Sequence, residues 1–455
     1  MLHSTSRAST LILALCAAVY GCSGGSADGG SNTPQAGAAG AGNSSGALGG
    51  GSAGASGGGS GTAALAGAGG AVAAAGAGAA GSSSGGTAGS SGGGAAGTAG
   101  SNAGTSGTGG SAPTSPPMVY VGSTNGQISL YKLDAAQGAL TFVKSIAAGN
   151  YPSFLAFDAA HNHLYAVNEP DAKIAAFSAN PATGDLTLLN RLASGGDGPA
   201  FVGLDRTNKF VMVANYDGGT ASVFAIGADG SLGSSPKTVS PGKATHMILT
   251  DPANKFAFVM NLESNTVAQY AFDASTGALT PNSVATVKTP SGSGPRHMAF
   301  HPNGRFAYLL HETDDSLSVY SYDAALGQLS TMPVQTLSTL GQGANAAKNS
   351  CAEVVFAPSG NFVYASNRGD DSIATFSVDG TSGMMKLLGT TPSGGQTPRS
   401  FTLSTDGKLM LVANESGNVT AFSVDVTTGA LSKGKSIDVP KMPQFVGIVN
   451  WAAAQ

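Results

Sequence analysis

Residues 294–312 read GPRHMAFHPNGRFAYLLHE. Met298 and Phe300, then Phe306, Tyr308 and Leu310, alternate with their neighbours, and the HPNGR between them contains Asn303-Gly304. A period of two predicts two short strands, and Asn-Gly supplies the positive backbone angles of a tight hairpin. Polar groups gather at the far ends. Arg296 and His297 open the first strand, and His311 and Glu312 close the second. In an antiparallel pair those ends lie side by side, so basic groups and a carboxylate meet at one edge.

The phrase repeats. YPSFLAFD (from Tyr151), GPAFVGLD (Gly198), KATHMILT (Lys243), SCAEVVFA (Ser350), TPRSFTLS (Thr397) and MPQFVGIV (Met442) align with GPRHMAFH. Second strands follow most of them: HLYAVNE, FVMVANY, FAFVMNL, FAYLLHE, FVYASNR and LMLVANE. A third strand comes next, and then usually a Thr-Gly or Asp-Gly turn, as at Thr183-Gly184, Asp229-Gly230 and Thr276-Gly277, before a fourth. Four strands per period of roughly 40–50 residues is the pattern of a β-propeller. Met118–Ile146 supplies three strands with no leading one, and Met442–Asn450 supplies a leading strand with nothing after it. Together they complete one blade. The expected fold is therefore all-β, a seven-bladed β-propeller whose first and last blade is closed by both termini, which leaves no open edge there.

In a propeller the first strand of each blade lines the central channel, and the second returns beside it. The starts of the first strands read Ser153-Phe154, Ala200-Phe201, Thr245-His246, Arg296-His297, Ala352-Glu353, Arg399-Ser400 and Gln444-Phe445. The ends of the second strands read Asn168-Glu169, Asn215-Tyr216, Asn261-Leu262, His311-Glu312, Asn367-Arg368 and Asn414-Glu415. An aromatic wall facing Arg, His and Glu suits a small organic anion. Arg296 and Arg368 either hold a carboxylate or phosphate and polarise a carbonyl, or make inter-blade ion pairs with Glu312 or Glu353. Glu312 or His246 either handles a proton or is a hydrogen-bonded structural group. His297, Glu353, Arg399, Glu169 and Tyr216 complete the expected substrate-binding set. The Asn set at the second-strand ends is read as fixing turns. His161-Asn162-His163 falls on a hairpin tip without partnered ligands, so no metal is expected there, and no cofactor is expected at all.

GPRHMAFHPNGRFAYLLHE, AEVVFAPSGNFVYASNRGDDSIATF, YPSFLAFDAAHNHLYAVNE and GPAFVGLDRTNKFVMVANYDGG resemble the seven-bladed lactonase family. That family includes propeller-type 6-phosphogluconolactonases and fungal carboxymuconate cyclases. The resemblance covers essentially all of 118–450. It implies a site made from a His of a P-H-x-H phrase, the Arg of GPRH, the Glu closing the next strand and the Arg of N-R-G. These fall on His246, Arg296, Glu312 and Arg368, and Glu353 matches the Glu of an A-E-[IV] phrase. One departure stands out: Lys243 and Ala244 occupy the places of the Pro and the first His.

The remainder of the chain is unlike this. Across 455 residues there are 69 Gly, only 10% charged residues and one Trp, an average of two dissimilar halves. Residues 1–22 carry Arg7, an apolar run from about Leu11 to Tyr20, and Gly21-Cys22. This reads as a signal peptide of the lipoprotein type, with Cys22 as the lipidated residue. Residues 23–117 are almost wholly Gly, Ala, Ser, Thr and Asn and cannot offset ordering entropy by burial, so they read as a disordered tether. About 95 such residues reach on the order of 55 Å. The G-x-S-x-G match at residues 50–54 lies in this composition and is dismissed. The propeller is assigned to 118–455.

Cys16 lies in the removed segment, which leaves Cys351 without an intrachain partner, and it reads as a buried core thiol. A net charge of -4 with no basic stripe argues against nucleic acid as a partner, and none is expected. The expected protein is an exported monomer, held to the bacterial cell envelope only by its lipid. Two function classes stand. One is a hydrolase, or a cyclase, acting on the lactone of a small carboxylated or phosphorylated organic acid at the channel mouth. The other is a catalytically silent envelope propeller that binds a protein or glycan.

Overall fold

The computed structural model describes residues 116–451 except 345 and 441. The signal peptide, Cys22 and all but the last two residues of the expected tether lie outside the described residues.

Seven antiparallel sheets form the propeller. In the closing blade, Pro443–Val449 pairs with Met118–Ser123, with Val449 opposite Met118 and Phe445 opposite Gly122. Gln127–Asp134 and Ala139–Ala147 complete that sheet. Counted onward from this blade, the second to seventh blades occupy 155–193, 199–239, 245–288, 295–338, 351–392 and 398–438. Both termini thus share one blade, as the incomplete repeats at either end of the sequence predict. Two residues beyond the closing strand fasten it further. The Trp451 indole N–H donates to the His161 carbonyl at 2.9 Å, and the Asn450 carbonyl meets His161 Nδ1 at 3.0 Å.

The second strands Phe210–Asn215, Phe306–His311, Phe362–Asn367 and Leu409–Asn414 are buried at every residue. Blades stack face to face, so alternate side chains enter two different inter-blade cores and neither face meets water. Outer strands such as Leu431–Asp438 stay largely exposed. Tyrosines and glycines key one blade to the next. Tyr308 donates to the Gly383 carbonyl at 2.6 Å, and Tyr120–Gly184, Tyr165–Gly230 and Tyr364–Gly429 repeat the bond at 2.7, 3.0 and 3.1 Å. At Gly327, Gly383 and Gly429, all of positive φ, a Cβ would come within 2.1, 2.6 and 2.5 Å of the Phe256, Phe306 and Phe362 rings. Only glycine meets both demands. The Phe306 and Phe362 rings so buried each contribute about 1.5–3 kcal/mol, and the partly buried Phe256 less.

Two outer strands differ from the expected single fourth strand. In the fifth blade it is split into Gln328–Leu329 and Gln335–Ser338, on either side of Pro333, which has no N–H for the ladder. In the third it shrinks to Lys237–Val239, directly after Pro236, with an isolated bridge between Ile226 and Leu232.

Candidate active site

The inner strands share a device that periodicity does not reveal. In six blades the register between inner and second strands slips by a bulge near the start of the inner strand. Pro295 pairs with His311 and His297 with Leu310, so Arg296 has no opposite residue. His246, Arg399, Ala200 and Gln444 occupy the same place in their blades, and Ala352 and Glu353 share it in the sixth. The second blade's strand begins only at Leu155, so Ser153 and Phe154 precede it. A bulge frees one side chain from the pleat and re-aims it. Two residues before the freed position the backbone is left-handed in five of the bulged blades, at Gly198, Ala244, Gly294, Thr397 and Met442, and Tyr151 makes the same turn before Ser153 in the second blade (φ from 52° to 66°). Ala244 therefore occupies this turn position, equivalent to Gly294, and His246 is the equivalent of Arg296.

The freed side chains and the second-strand ends meet. Glu312 lies between two guanidiniums, with Oε2 2.8 Å from Arg296 Nε and Oε1 3.0 Å from Arg368 Nη2. The first contact is off the N–H direction, so it is an ion pair and not an aligned hydrogen bond. Arg296 also donates through Nη1 to the Ala352 carbonyl, and Arg368 through Nη2 to the Cys351 carbonyl at 2.9 Å. The triad thus spans the fifth and sixth blades. Arg296 is almost completely buried, whereas the Glu312 side chain keeps 22% of its exposure. Beside it, His297 Nδ1 lies 2.9 Å from Glu353 Oε1. The His246 ring sits 5.1 Å from His297 and 5.6 Å from Tyr216, edge-on to both. Phe154, Phe201 and Phe445 complete the aromatic side, with Phe154 4.7 Å from Phe201 and 5.0 Å from Phe445, and both Phe154 and Phe201 within 6 Å of His297.

Arg399 belongs to a second chain of contacts. Its Nη1 is 3.7 Å from Glu415 Oε1, which accepts from Gln444 Nε2 at 3.0 Å, and Gln444 Oε1 accepts from Tyr151 Oη at 3.0 Å. Glu415, Gln444 and Phe445 stand among the strand ends read from the sequence but outside the expected substrate-binding set, and Tyr151 is in neither. The alignment of MPQF with GPRH already placed Gln444 opposite Arg296 and was the available signal. Glu169 makes no ion pair among the described residues, and its Oε1 is buried without a partner.

These surroundings set the charges. Burial opposes ionisation of Glu312, but Arg368, Arg296 and Arg399 outweigh it and hold the carboxyl below the usual range. Burial lowers Arg296 to about 10, which leaves it cationic at neutral pH. Burial, followed by repulsion from Arg296, His297, Arg399 and Arg368, keeps His246 far below the ordinary imidazole value and hence neutral. His297 is also lowered, by burial that Glu353 only partly offsets. Burial raises Tyr216 to about 12 and Glu169 above its usual range, the latter against the pull of Arg399.

Other expected residues have structural partners. Asn168, Asn215, Asn367 and Asn414 are fully buried and donate to the carbonyls of Ala148, Ser194, Thr339 and Ser393. Cys351 is buried against Thr339 and Asn367, and burial pushes its thiol up to about 12. His163 is bonded to Asp158 at 2.8 Å, and among the described residues no group of three His, Cys, Asp or Glu could hold a metal.

Residues 118–446 match the family described as "Lactonase, 7-bladed beta-propeller". A 6-phosphogluconolactonase of Formosa agariphila is 45% identical over 85 residues, 18% of this chain and 24% of that protein. One from Serratia proteamaculans is 29% identical over 174 residues, 38% and 51% of the two chains. The matched stretches thus span about a quarter to a half of these curated relatives. The periplasmic gluconolactonase of Pseudomonas aeruginosa superposes with a TM-score of 0.68 at 26% identity, covering 74% of this chain and 99% of its own. A protein from Lactobacillus plantarum gives 0.67 at 28%, covering 73% and 99%. Since the family match runs from the first strand of the ring into the strand that closes it, this chain belongs to the seven-bladed β-propeller lactonase family.

Proposed function

We propose that this protein hydrolyses the lactone of a small polyhydroxy acid where the inner-strand starts meet the second-strand ends, at the mouth of the central channel. The observation that carries the reading is the Arg296–Glu312–Arg368 triad, buried on the Arg296 side and open on the Glu312 side. Hydrolysis adds water to the lactone carbonyl carbon and builds negative charge on its oxygen. Fixed guanidiniums in a partly dry site stabilise that charge without reorganising. Glu312 keeps the two cations in place and is ionised throughout the neutral range. His297 is held between Glu353 and Arg296, neutral His246 offers its open Nδ1 to a substrate hydroxyl, and Phe154, Phe201 and Phe445 supply an apolar floor.

Gluconolactone and 6-phosphogluconolactone, the lactones in the relatives' names, are the first substrates to try on the full chain. Turnover of either above the uncatalysed rate supports the reading. No turnover of these or of a wider lactone panel, with the fold intact, leaves the triad as the inter-blade clamp that a silent binding propeller also needs.

Export and anchoring belong to the same proposal. The apolar run before Gly21-Cys22 supports a lipidated envelope protein, and the periplasmic gluconolactonase is a relative of matching location. Cys22→Ser should move the protein from the membrane to the soluble fraction, and unchanged fractionation refutes the anchor.

A further inference from the structure

A lactonase needs a group that accepts a proton from the attacking water and later gives one to the ring oxygen. Neither group that the sequence offers for this is suited to it. Glu312 is committed to two guanidiniums, and His246 is a weak base among cations. A third candidate lies across the site. Glu169 closes the second strand of the second blade, as Glu312 closes that of the fifth, and it opens the short 3-10 turn Glu169–Asp171, where Pro170 stiffens the backbone. Glu169 Oε1 and His246 Nδ1 are buried without a hydrogen-bond partner, and Ser153 is the one hydroxyl that reaches the Glu169 carboxyl. Buried polar atoms are nearly always paired, so a carboxylate oxygen left open in the field of Arg399 and Arg296 marks where a polar ligand or water belongs.

We infer that Glu169, and not Glu312, is the carboxylate that takes the proton from the attacking water and returns it to the ring oxygen. This rests on the lactonase reading above. The water oxygen bonds to the carbonyl carbon as one of its protons passes to Glu169. When the tetrahedral intermediate collapses, the ring C–O bond breaks, its electron pair stays on the ring oxygen, and Glu169 delivers the proton there. Glu169 ends ionised, as it began, and the product is the open hydroxy acid.

The groups acting on Glu169 are Arg399 and Arg296 from the inner strands of the seventh and fifth blades, Ser153 from its own blade and Asp217 beyond the second strand of the third. Arg399 faces Glu415 and Glu312 as well, so its charge is shared. Burial dominates at Glu169 and moves it toward the operating pH, where a proton shuttle works best. Glu169 and Glu312, one residue type at equivalent strand ends, are thereby driven apart, one to exchange protons and the other to stay charged.

The test is kcat against pH for the full-length chain with glucono-1,5-lactone as probe, uncatalysed hydrolysis subtracted. Wild-type kcat should fall on the acid side with unit slope and a midpoint above the ordinary glutamate value. Glu169→Gln should lower kcat by about 10²–10³-fold, leave KM within about threefold and abolish the acid limb. Glu169→Asp should retain the limb at reduced kcat, and Glu312→Gln should retain it with raised KM. A flat wild-type profile overturns the inference without any variant, and so does a Glu169→Gln protein that keeps wild-type kcat and its acid limb. No turnover by the wild type overturns the lactonase reading together with the inference, a result distinct from either of these.

Discussion

Replacing Glu312 by Gln should destabilise the propeller measurably at neutral pH and much less in acid. Gln keeps the shape of Glu312 but removes the charge between Arg296 and Arg368. The Arg368 side chain is 13% exposed and can recruit water, whereas that of Arg296 is 3% exposed and cannot. Breaking a fully buried pair costs about 3–5 kcal/mol, and the partial exposure of Glu312 brings the expected loss to about 2–4 kcal/mol. A β domain of this length unfolds with an entropy on the order of 0.7 kcal/mol/K, so Tm should drop by roughly 3–6 °C.

The pH dependence has a definite sign. The folded Glu312 carboxyl is depressed below its unfolded value. Its contribution is therefore fully present above the unfolded pKa, about 4.3, and is lost as pH falls through the lower folded one. Calorimetry of wild type and variant at one scan rate should show the full gap at pH 7 and a narrowing gap below about pH 4. Adding Arg368→Met to Glu312→Gln should restore part of the loss, because one of the two stranded cations is then gone. A gap under about 1 °C at pH 7, or one that persists unchanged into acid, refutes the triad as a charge-balanced unit.

Arg296→Ala should raise KM for a lactone substrate by roughly 10- to 150-fold, the equivalent of about 1.5–3 kcal/mol for one charged hydrogen bond; initial rates over a substrate series decide it. Native protein should resist iodoacetamide at Cys351 at pH 8, since the thiol is buried and raised to about 12, and should react once unfolded in guanidinium; mass spectrometry of the native reaction checks this. Deleting 443–455 removes the strand that closes the ring, which should leave the Met118–Ser123 edge unpaired and turn a cooperative melt into a broad one; an unchanged sharp transition would show that closure contributes little.

The architecture was legible because a propeller writes each blade into the sequence as the same phrase. The hairpin at 294–312, the Thr-Gly turns and the unpaired strands at either end of the repeat sufficed for blade number and closure. The bulge was not legible. It adds one residue to a strand without changing the composition around it, and the left-handed residue before it is Gly in only two of the five bulged blades that have one, with Ala244, Thr397 and Met442 in the others. The split outer strand of the fifth blade stayed hidden for a related reason. Pro333 looks like any loop proline until its partner strand, Ser316–Asp323, is known to continue past it.

The bulge also explains why a repeat can build a site at all. If each inner strand ran in perfect register, the residue at its start would stay in the pleat, pointing into an inter-blade core where only apolar side chains are tolerated. The extra residue is outside that constraint. It can be Ala200 in one blade and His246, Arg296, Arg399 or Gln444 in the others, while the strands around it keep their apolar pattern. Departures from the repeat therefore collect where packing does not forbid them. The same reasoning applies at the second-strand ends. The buried Asn holds the turn in five blades, and the residue after it is free to be Glu169, Tyr216, Leu262, Arg368 or Glu415. In the fifth blade His311 takes the place of the Asn, bonding Ser318 at 3.0 Å, and Glu312 comes next in the chain. The frame is common to all the blades and the chemistry lies in one position per strand, so residues in equivalent places, such as Glu169 and Glu312, can carry opposite duties.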